Sequence, residues 1–171
     1  EPAKKLFNQG MVCHKAYKND RNEWMFPWDV MEENGKYYCT KDSKELHCEG
    51  IIKMSKSKCN VVDTLKIIDT YGADAARLFV LSDIPAYKDF EWTESGIEGC
   101  WKYINRIWKL TANFIEDNDI DAVKQYKIEK STELLAENHK TVKEVTGFIE
   151  NMEFNRAIAR IREFSNNIEK F

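Results

Sequence analysis

Lys53-Met54-Ser55-Lys56-Ser57-Lys58-Cys59-Asn60-Val61-Val62-Asp63 divides this chain into two textures. Before it, from His14 to Gly50, short β-like runs such as Trp24-Met25-Phe26 and Lys36-Tyr37-Tyr38-Cys39 alternate with turn residues at Asn19-Asp20 and Asn34-Gly35. That pattern predicts a small, hairpin-rich insertion with little core of its own. Ahead of it, Met11-Val12-Cys13 reads as a short buried strand, and the opening Glu1-Pro2-Ala3-Lys4-Lys5-Leu6-Phe7 as a helix ended by Gly10. After the quoted stretch the chain turns helical. Asp63 caps a helix carrying Leu65, Ile67 and Ile68, and Gly72 closes it.

The run from Ala73 to Leu81 is almost wholly apolar, so its helix is expected to be buried on most sides, with Arg77 buried and paired to a carboxylate such as Asp74 or Asp83 in preference to a substrate contact. Ile84-Pro85 breaks it, and Phe90-Glu91-Trp92 forms a short extended piece. Thr93 then caps a long helix to about Glu116. Residues 117–128 read as a polar linker, and further helices run from about Ser131 to Glu150 and from Phe154 onward. Helices joined by short turns in this order imply an antiparallel bundle. The predicted class is α+β, mostly α: a small hairpin-rich β segment, then the antiparallel bundle.

Charged residues make up 32% and hydrophobic ones 43% of the 171 residues, the composition of a soluble globular chain with no bilayer-spanning run. A net charge of −3 argues against a surface that is basic all over, yet a local basic stripe suffices to meet phosphates. The chain starts without Met and stops at Phe171 while a helical pattern is running, so a segment of a longer protein is expected. Five cysteines, Cys13, Cys39, Cys48, Cys59 and Cys100, lack zinc-knuckle spacing and fit a reducing cytosol. Cys13, His14, Cys39 and Cys48 are the one conceivable ligand set, but free thiols are expected and no protein-bound metal.

Lys53 and Lys56 put two ammonium groups three residues apart, each followed closely by a small hydroxyl residue. Such a cationic clip suits a polyphosphate; the bland alternative is a solvated Lys/Ser loop. Nucleotidyl transfer from ATP to a carboxylate builds negative charge on the α-phosphate and the departing pyrophosphate, and preplaced cations lower that barrier. A lysine on a mobile loop also closes on pyrophosphate and opens to release it. Lys56 is assigned this role with Lys53 as its partner. Ser55 and Ser57 would donate to phosphate oxygens, Met54 would pack at the loop base, and Lys58 is a solvated neighbour.

Lys53 to Ser57 resembles the second signature of class I aminoacyl-tRNA synthetases, as do Lys58 to Asp63, Tyr71-Gly72-Ala73-Asp74 and Ala76-Arg77-Leu78-Phe79. Glu91-Trp92-Thr93-Glu94-Ser95-Gly96-Ile97-Glu98-Gly99, Asn105-Arg106-Ile107-Trp108 and the opening through Gln9-Gly10-Met11-Val12 are similar to the leucyl-tRNA synthetases of bacterial type. Asn155 with Ala157-Ile158 resembles the start of a late helix of their anticodon-binding bundle; Cys59 departs from their more polar residue. The resemblance implies that 1–13 is the tail of the catalytic domain and 14–50 a leucine-specific insertion. It likewise makes 51–92 the loop with connecting helices and 93–171 an incomplete anticodon-binding bundle.

It also implies a parent that joins leucine to tRNA(Leu) through leucyl-adenylate, using ATP with Mg2+. Lys53, Met54, Ser55, Lys56 and Ser57 would form the ATP site, with Lys53 and Lys56 catalytic. The expected partners are tRNA(Leu), ATP, leucine and the remainder of the polypeptide, in a cytoplasmic monomer without membrane contact. The family's first signature, His-Ile-Gly-His, is absent, since His14, His47 and His139 are isolated. The chain by itself is therefore expected to be inactive.

On the long helix, Trp101, Ile104, Trp108 and Thr111 share a face expected to pack inward, with Lys102, Arg106 and Lys109 opposite. That basic stripe suits a tRNA backbone, supplying position rather than sequence readout; a solvated, carboxylate-paired face is the competing reading. Arg156 and Arg160 carry the same two readings, with ion pairing favoured. Phe154, Ala157, Ile158, Ile161 and Phe164 form a core stripe. The rival functions are an isoleucyl, valyl or methionyl relative, a non-catalytic tRNA-binding module, and an unrelated helical interaction module.

Overall fold

The computed structural model describes residues 2, 6–117 and 132–169, which fall into two compact units, 1–70 with 87–94 and 71–86 with 95–171. The class is α+β and mostly helical, as expected.

The first unit is built on β1 (Val12–Lys18), β2 (Trp24–Met25), β3 (Val30–Glu33), β4 (Lys36–Cys39), β5 (Glu45–Lys53) and β6 (Phe90–Glu91). The sheet order is β2-β1-β5-β4-β3, with β6 also on β1. Antiparallel β1 and β5 pair Cys13 with Lys53, His14 with Ile52 and Lys15 with Ile51; the register then shifts before Tyr17 meets Cys48. Asn34 and Gly35, at φ 50° and 77°, turn β3 into β4. Positive φ at both central residues is what a tight hairpin requires. Along β5, buried Leu46 sits between exposed Glu45 and His47, and the alternation continues to Lys53. Such alternation marks a strand with one covered face. Ala16, Tyr17, Cys39 and Leu46 make the core of this sheet.

The expected insertion limits at 13/14 and 50/51 fall inside β1 and β5, so these two strands run without interruption up to the Lys/Ser loop. β6 pairs in parallel with the start of β1, Val12 opposite Phe90 and Cys13 opposite Glu91. Of the expected opening helix, residues 6–10 carry no helical hydrogen bonding, and its part over residues 1 and 3–5 lies outside the described residues. Gly10 itself lies directly against the Lys88 backbone.

Asp63 caps α1 (Thr64–Tyr71) by accepting from the Leu65 and Lys66 amides at 3.0 and 3.2 Å. In the second unit, Gly72 at φ 83° separates α1 from α2 (Ala73–Ser82). The apolar α2 is buried on one face only: Ala75 and Phe79 are inside, while Val80 and Leu81 are 45% and 42% exposed. Burying Phe79 contributes about 2 to 3 kcal/mol by area. Arg77 does pair with Asp74, at 3.2 Å, but both lie on the solvent side, where such pairs contribute little.

Three longer helices follow, α3 (Glu94–Asp117), α4 (Thr132–Glu150) and α5 (Phe154–Ile168). The linker expected over 117–128 lies, after Asp117, outside the described residues. α4 and α5 pack together, and α5 also packs on α2. Contacts of Cys100 with Arg162, Tyr103 with Ser165 and Arg106 with Glu169 advance together along α3 and α5. The two helices therefore run in the same direction, as the first and third members of an up-down-up arrangement do.

The inward face of α3 differs from expectation. Ile97 and Cys100 are buried, whereas Trp101 and Trp108 are 40% and 76% exposed and Thr111 also faces solvent. The helix carries two apolar stripes, and α5 approaches along the one with the small Cys100 side chain, where helix axes can come close. On α5, Ala157 is buried as expected, with Phe154, Ile158 and Phe164 half-buried, but Ile161 is 43% exposed and Ser165 takes the inner position. Among the described residues no helix is long and apolar enough to cross a membrane.

Candidate functional site

The Lys/Ser loop is suspended between the paired strands. β5 ends at Lys53, and the Met54 amide makes the last bond to β1, 2.9 Å from the Val12 carbonyl. Ser55 is extended at φ −152°, and Lys56–Lys58 then form a single 3-10 turn. Within it the Lys58 amide donates to the Ser55 carbonyl at 3.1 Å and the Cys59 amide to the Lys56 carbonyl at 3.3 Å. Cys59 takes a left-handed conformation at φ 53°, which turns the chain back toward the sheet.

Asn60 follows, fully buried. Its side-chain oxygen accepts from the Ser55 amide at 2.9 Å. Its NH2 group faces the carbonyls of Ile52, Lys53 and His14 at 3.1, 3.2 and 3.3 Å. A buried amide must satisfy both its donor and its acceptor ends, and this one does so on two separate stretches of chain, at residue 14 and over residues 52–55.

Beyond that anchor, Lys56, Ser57 and Lys58 are exposed, as is Lys53 at the strand end; Met54 is half-buried at the base. Among the described residues neither Lys53 nor Lys56 has a carboxylate within ion-pair distance. The Ser55 and Ser57 hydroxyls lie 2.8 Å apart and hydrogen-bond each other. Lys58 is not merely a solvated neighbour: its ammonium lies 6.0 Å over the Trp24 ring, which Lys18 also faces at 4.5 Å. Among the described residues the loop thus offers three ammonium groups without a carboxylate partner, Lys53, Lys56 and the ring-facing Lys58, and two hydroxyls on a short tip with a fixed base. That arrangement can receive a polyanion.

The neighbouring sheet face is occupied by its own pairs. The Lys15 ammonium donates to the Tyr37 hydroxyl at 3.0 Å, which holds its pKa well above the usual lysine value. Burial pushes the Tyr17 phenol up to about 12 and the His14 imidazole down, disfavouring its cation. Burial, with Asp89 and Glu91 nearby, raises the Cys13 thiol. All five cysteines are free, and among the described residues no three His, Cys, Asp or Glu side chains group as metal ligands.

The second unit carries the other expected cations. Lys102 pairs with Glu98 at 2.7 Å but stays 65% exposed, and Lys109 is exposed. Arg106 meets Glu169 at 3.3 Å and the Asn166 side-chain oxygen at 2.7 Å. Arg156 pairs with Glu153 at 2.8 Å and covers the Phe148 ring at 4.4 Å. Arg160 takes the ion-paired arrangement favoured for it from sequence. It is 11% exposed and bonded to Glu137 and Glu144, with Glu163 at 3.5 Å, so its charge is neutralised inside the helix pair.

Two participants escaped the sequence reading. Asn60 was noticed only as part of a motif, and the sole hint of its burial is a polar residue directly before Val61-Val62. Arg162 stacks over Tyr103 at 4.7 Å and points to the Cys100 sulfur; nothing in its helical spacing announces that contact.

Comparison with known proteins finds similar chains. The family of class I tRNA synthetases (I, L, M and V) matches residues 44–93. The leucine--tRNA ligase of Orientia tsutsugamushi is 43% identical over 99% of this chain and 20% of its own length. That of Rhizorhabdus wittichii is 44% identical over 99% of the chain and 19% of its own. A crystal structure of the ternary LeuRS-tRNA-LeuAMS complex of Agrobacterium radiobacter K84 agnB2 aligns with 69% of this chain and 16% of that one, at TM-score 0.60 and 26% identity. The chain thus spans about one fifth the length of the curated relatives it matches. The resemblance to leucyl-tRNA synthetases is borne out along the whole chain, and the isoleucyl, valyl and methionyl alternatives find no support.

Proposed function

We propose, for a chain that is leucyl-tRNA-synthetase-like along its whole length, that it supplies the ATP-clamping loop and RNA-facing helices of a leucine–tRNA ligase. The observation that carries this reading is the pair Lys53 and Lys56, exposed and without ion-pair partners among the described residues, on a loop with an anchored base. Lys56, on the turn, follows the pyrophosphate as it departs; Lys53, at the strand end, meets the phosphates from a fixed position. Ser55 and Ser57 exchange their mutual hydrogen bond for phosphate oxygens. Mg2+ enters with ATP and is held by the nucleotide and the remainder of the enzyme.

Lys102, Arg106, Lys109 and Arg156 contact the backbone of tRNA(Leu), giving up or sharing exposed pairs that are weak in water. Leucine binds in the remainder of the polypeptide, in a monomeric cytoplasmic enzyme. The domain assignment follows the same reading: catalytic tail 1–13, leucine-specific insertion 14–50, loop and connector 51–92, and anticodon-binding bundle from 93.

The test is leucine-dependent ATP–pyrophosphate exchange in the full-length enzyme that contains this segment. Lys56→Ala is expected to slow exchange by roughly tenfold or more with little change in the leucine KM, the signature of a group that acts in the transition state. An unchanged rate assigns the loop a structural role instead. The isolated 171-residue chain is expected to show no exchange, having no His-Ile-Gly-His signature.

A further inference from the structure

We propose that Asn60 is the positioning residue of the Lys/Ser loop: its single buried amide fixes both ends of the loop to β1 and so sets where Lys53 and Lys56 meet the nucleotide. The inference rests on the ATP-clamping reading and adds a residue that acts through the two lysines without touching substrate.

The geometry separates a held base from a free tip. Strand pairing ends with the bond from Met54 to Val12. One residue further, the Ser55 amide is held by the Asn60 side-chain oxygen at 2.9 Å. On the incoming side, the Asn60 NH2 group reaches the Ile52 and Lys53 carbonyls, and across the strand pair it reaches His14. Two hydrogens are shared among three acceptors, so the amide works as a bracket across β1, β5 and the loop. What remains outside is the turn Lys56–Lys58, with its own internal bonds and the Trp24 ring under Lys58.

A loop that must close on a departing anion and reopen needs mobility at its tip and fixed geometry at its base. Without the base, the lysine ammonium samples a volume rather than an arc, and misplacement by about an ångström is enough to lower a rate by around a hundredfold. Asn is suited to the task. Ala has no polar group, Asp has no donor for three carbonyls and would bury a charge, and Leu fills the space with none of the bonds. The left-handed Cys59 delivers the side chain inward directly after the turn. No other side chain among the described residues bonds the Ser55 amide.

The experiment uses the full-length enzyme with Asn60→Ala, Lys56→Ala and the double variant. It measures ATP–pyrophosphate exchange and, separately, transfer of leucine from preformed leucyl-adenylate to tRNA. The expected result is a fall in exchange kcat of roughly ten- to a hundredfold for Asn60→Ala, with the leucine KM within about twofold and transfer retained. The double variant is expected to lose clearly less than the product of the two single losses, because part of what Asn60 does passes through Lys56 and the rest through Lys53.

Retained transfer reports an intact fold, so a damaged protein does not imitate this outcome. Asn60→Ser, which is shorter but keeps one donor and acceptor, is expected to recover part of the exchange rate. Exchange within twofold of the parent for Asn60→Ala, alongside a slow Lys56→Ala, overturns the inference and leaves the ATP reading standing. Equal loss of exchange and transfer, or additive loss in the double variant, also overturns it, by making Asn60 a general stabiliser. An unaffected Lys56→Ala removes the ATP reading and the inference together.

Discussion

Gly10 and the Lys88 carbonyl are in such close contact that a Cβ built on residue 10 would stand 1.9 Å from that oxygen and 2.1 Å from its carbon. The contact joins two distant parts of the chain. On either side of it the Met11 amide donates to Asp89 at 2.7 Å and the Phe90 amide to the Met11 carbonyl at 3.0 Å.

Gly10→Ala is therefore expected to push residues 88–91 off the start of β1. The clash is with backbone, which has no rotamer to yield, and the cost expected of such overpacking is about 3 kcal/mol. A lowered urea midpoint, with loss of amide protection at Phe90 and Trp92, checks it. An unchanged midpoint would show that residues 10 and 88 separate freely.

At Cys59 the expected change has the opposite sign. Its φ of 53° is a region where a side chain is strained and glycine is not. Cys59→Gly is expected to stabilise the loop base by about 0.5 kcal/mol, and Cys59→Val to destabilise it by about 1 to 2 kcal/mol, β-branching being worst in that region. Hydrogen exchange at the Ser55 amide, which Asn60 holds, reads both: slower in the glycine variant and faster in the valine one.

Arg160 gives the helix pair a pH dependence. Its hydrogen bond holds the Glu137 carboxyl below the ordinary glutamate value. A carboxylate with a lowered folded-state pKa binds fewer protons folded than unfolded. Its stabilisation is full above the unfolded value of about 4.3 and is lost as pH falls through the lower folded value. Arg160→Met is expected to reduce stability at pH 7, where Glu137 and Glu144 lose their shared cation, and to flatten the acid limb of the stability curve. Thermal unfolding from pH 7 to pH 3 measures both; parallel curves for the two proteins would refute the coupling.

Much of this was legible in the sequence because it is local. Asp63 caps α1 through bonds to residues two and three ahead, and Asn34-Gly35 turns a hairpin through backbone angles that these residues favour. Elsewhere the deciding partner is distant: Gly10 answers to Lys88, 78 residues away. Trp108 misled through size: a large aromatic suggests core, yet the neighbouring helix docks along the stripe with the smaller Cys100.

Lys53 to Ser57 stood out in the sequence, since two lysines and two serines lie within five residues. The sequence alone also determined the helical and hairpin halves and the resemblance to leucyl-tRNA synthetases. Only the tertiary structure decided which cations remain available, because an ion pair depends on distance in space. Lys53 and Lys56 are exposed without a carboxylate partner among the described residues, while Arg160, equally basic on paper, is enclosed by glutamates from two helices. It likewise decided the place of Asn60, whose polar side chain becomes an anchor only where β1, β5 and the loop bring four backbone groups around one buried amide.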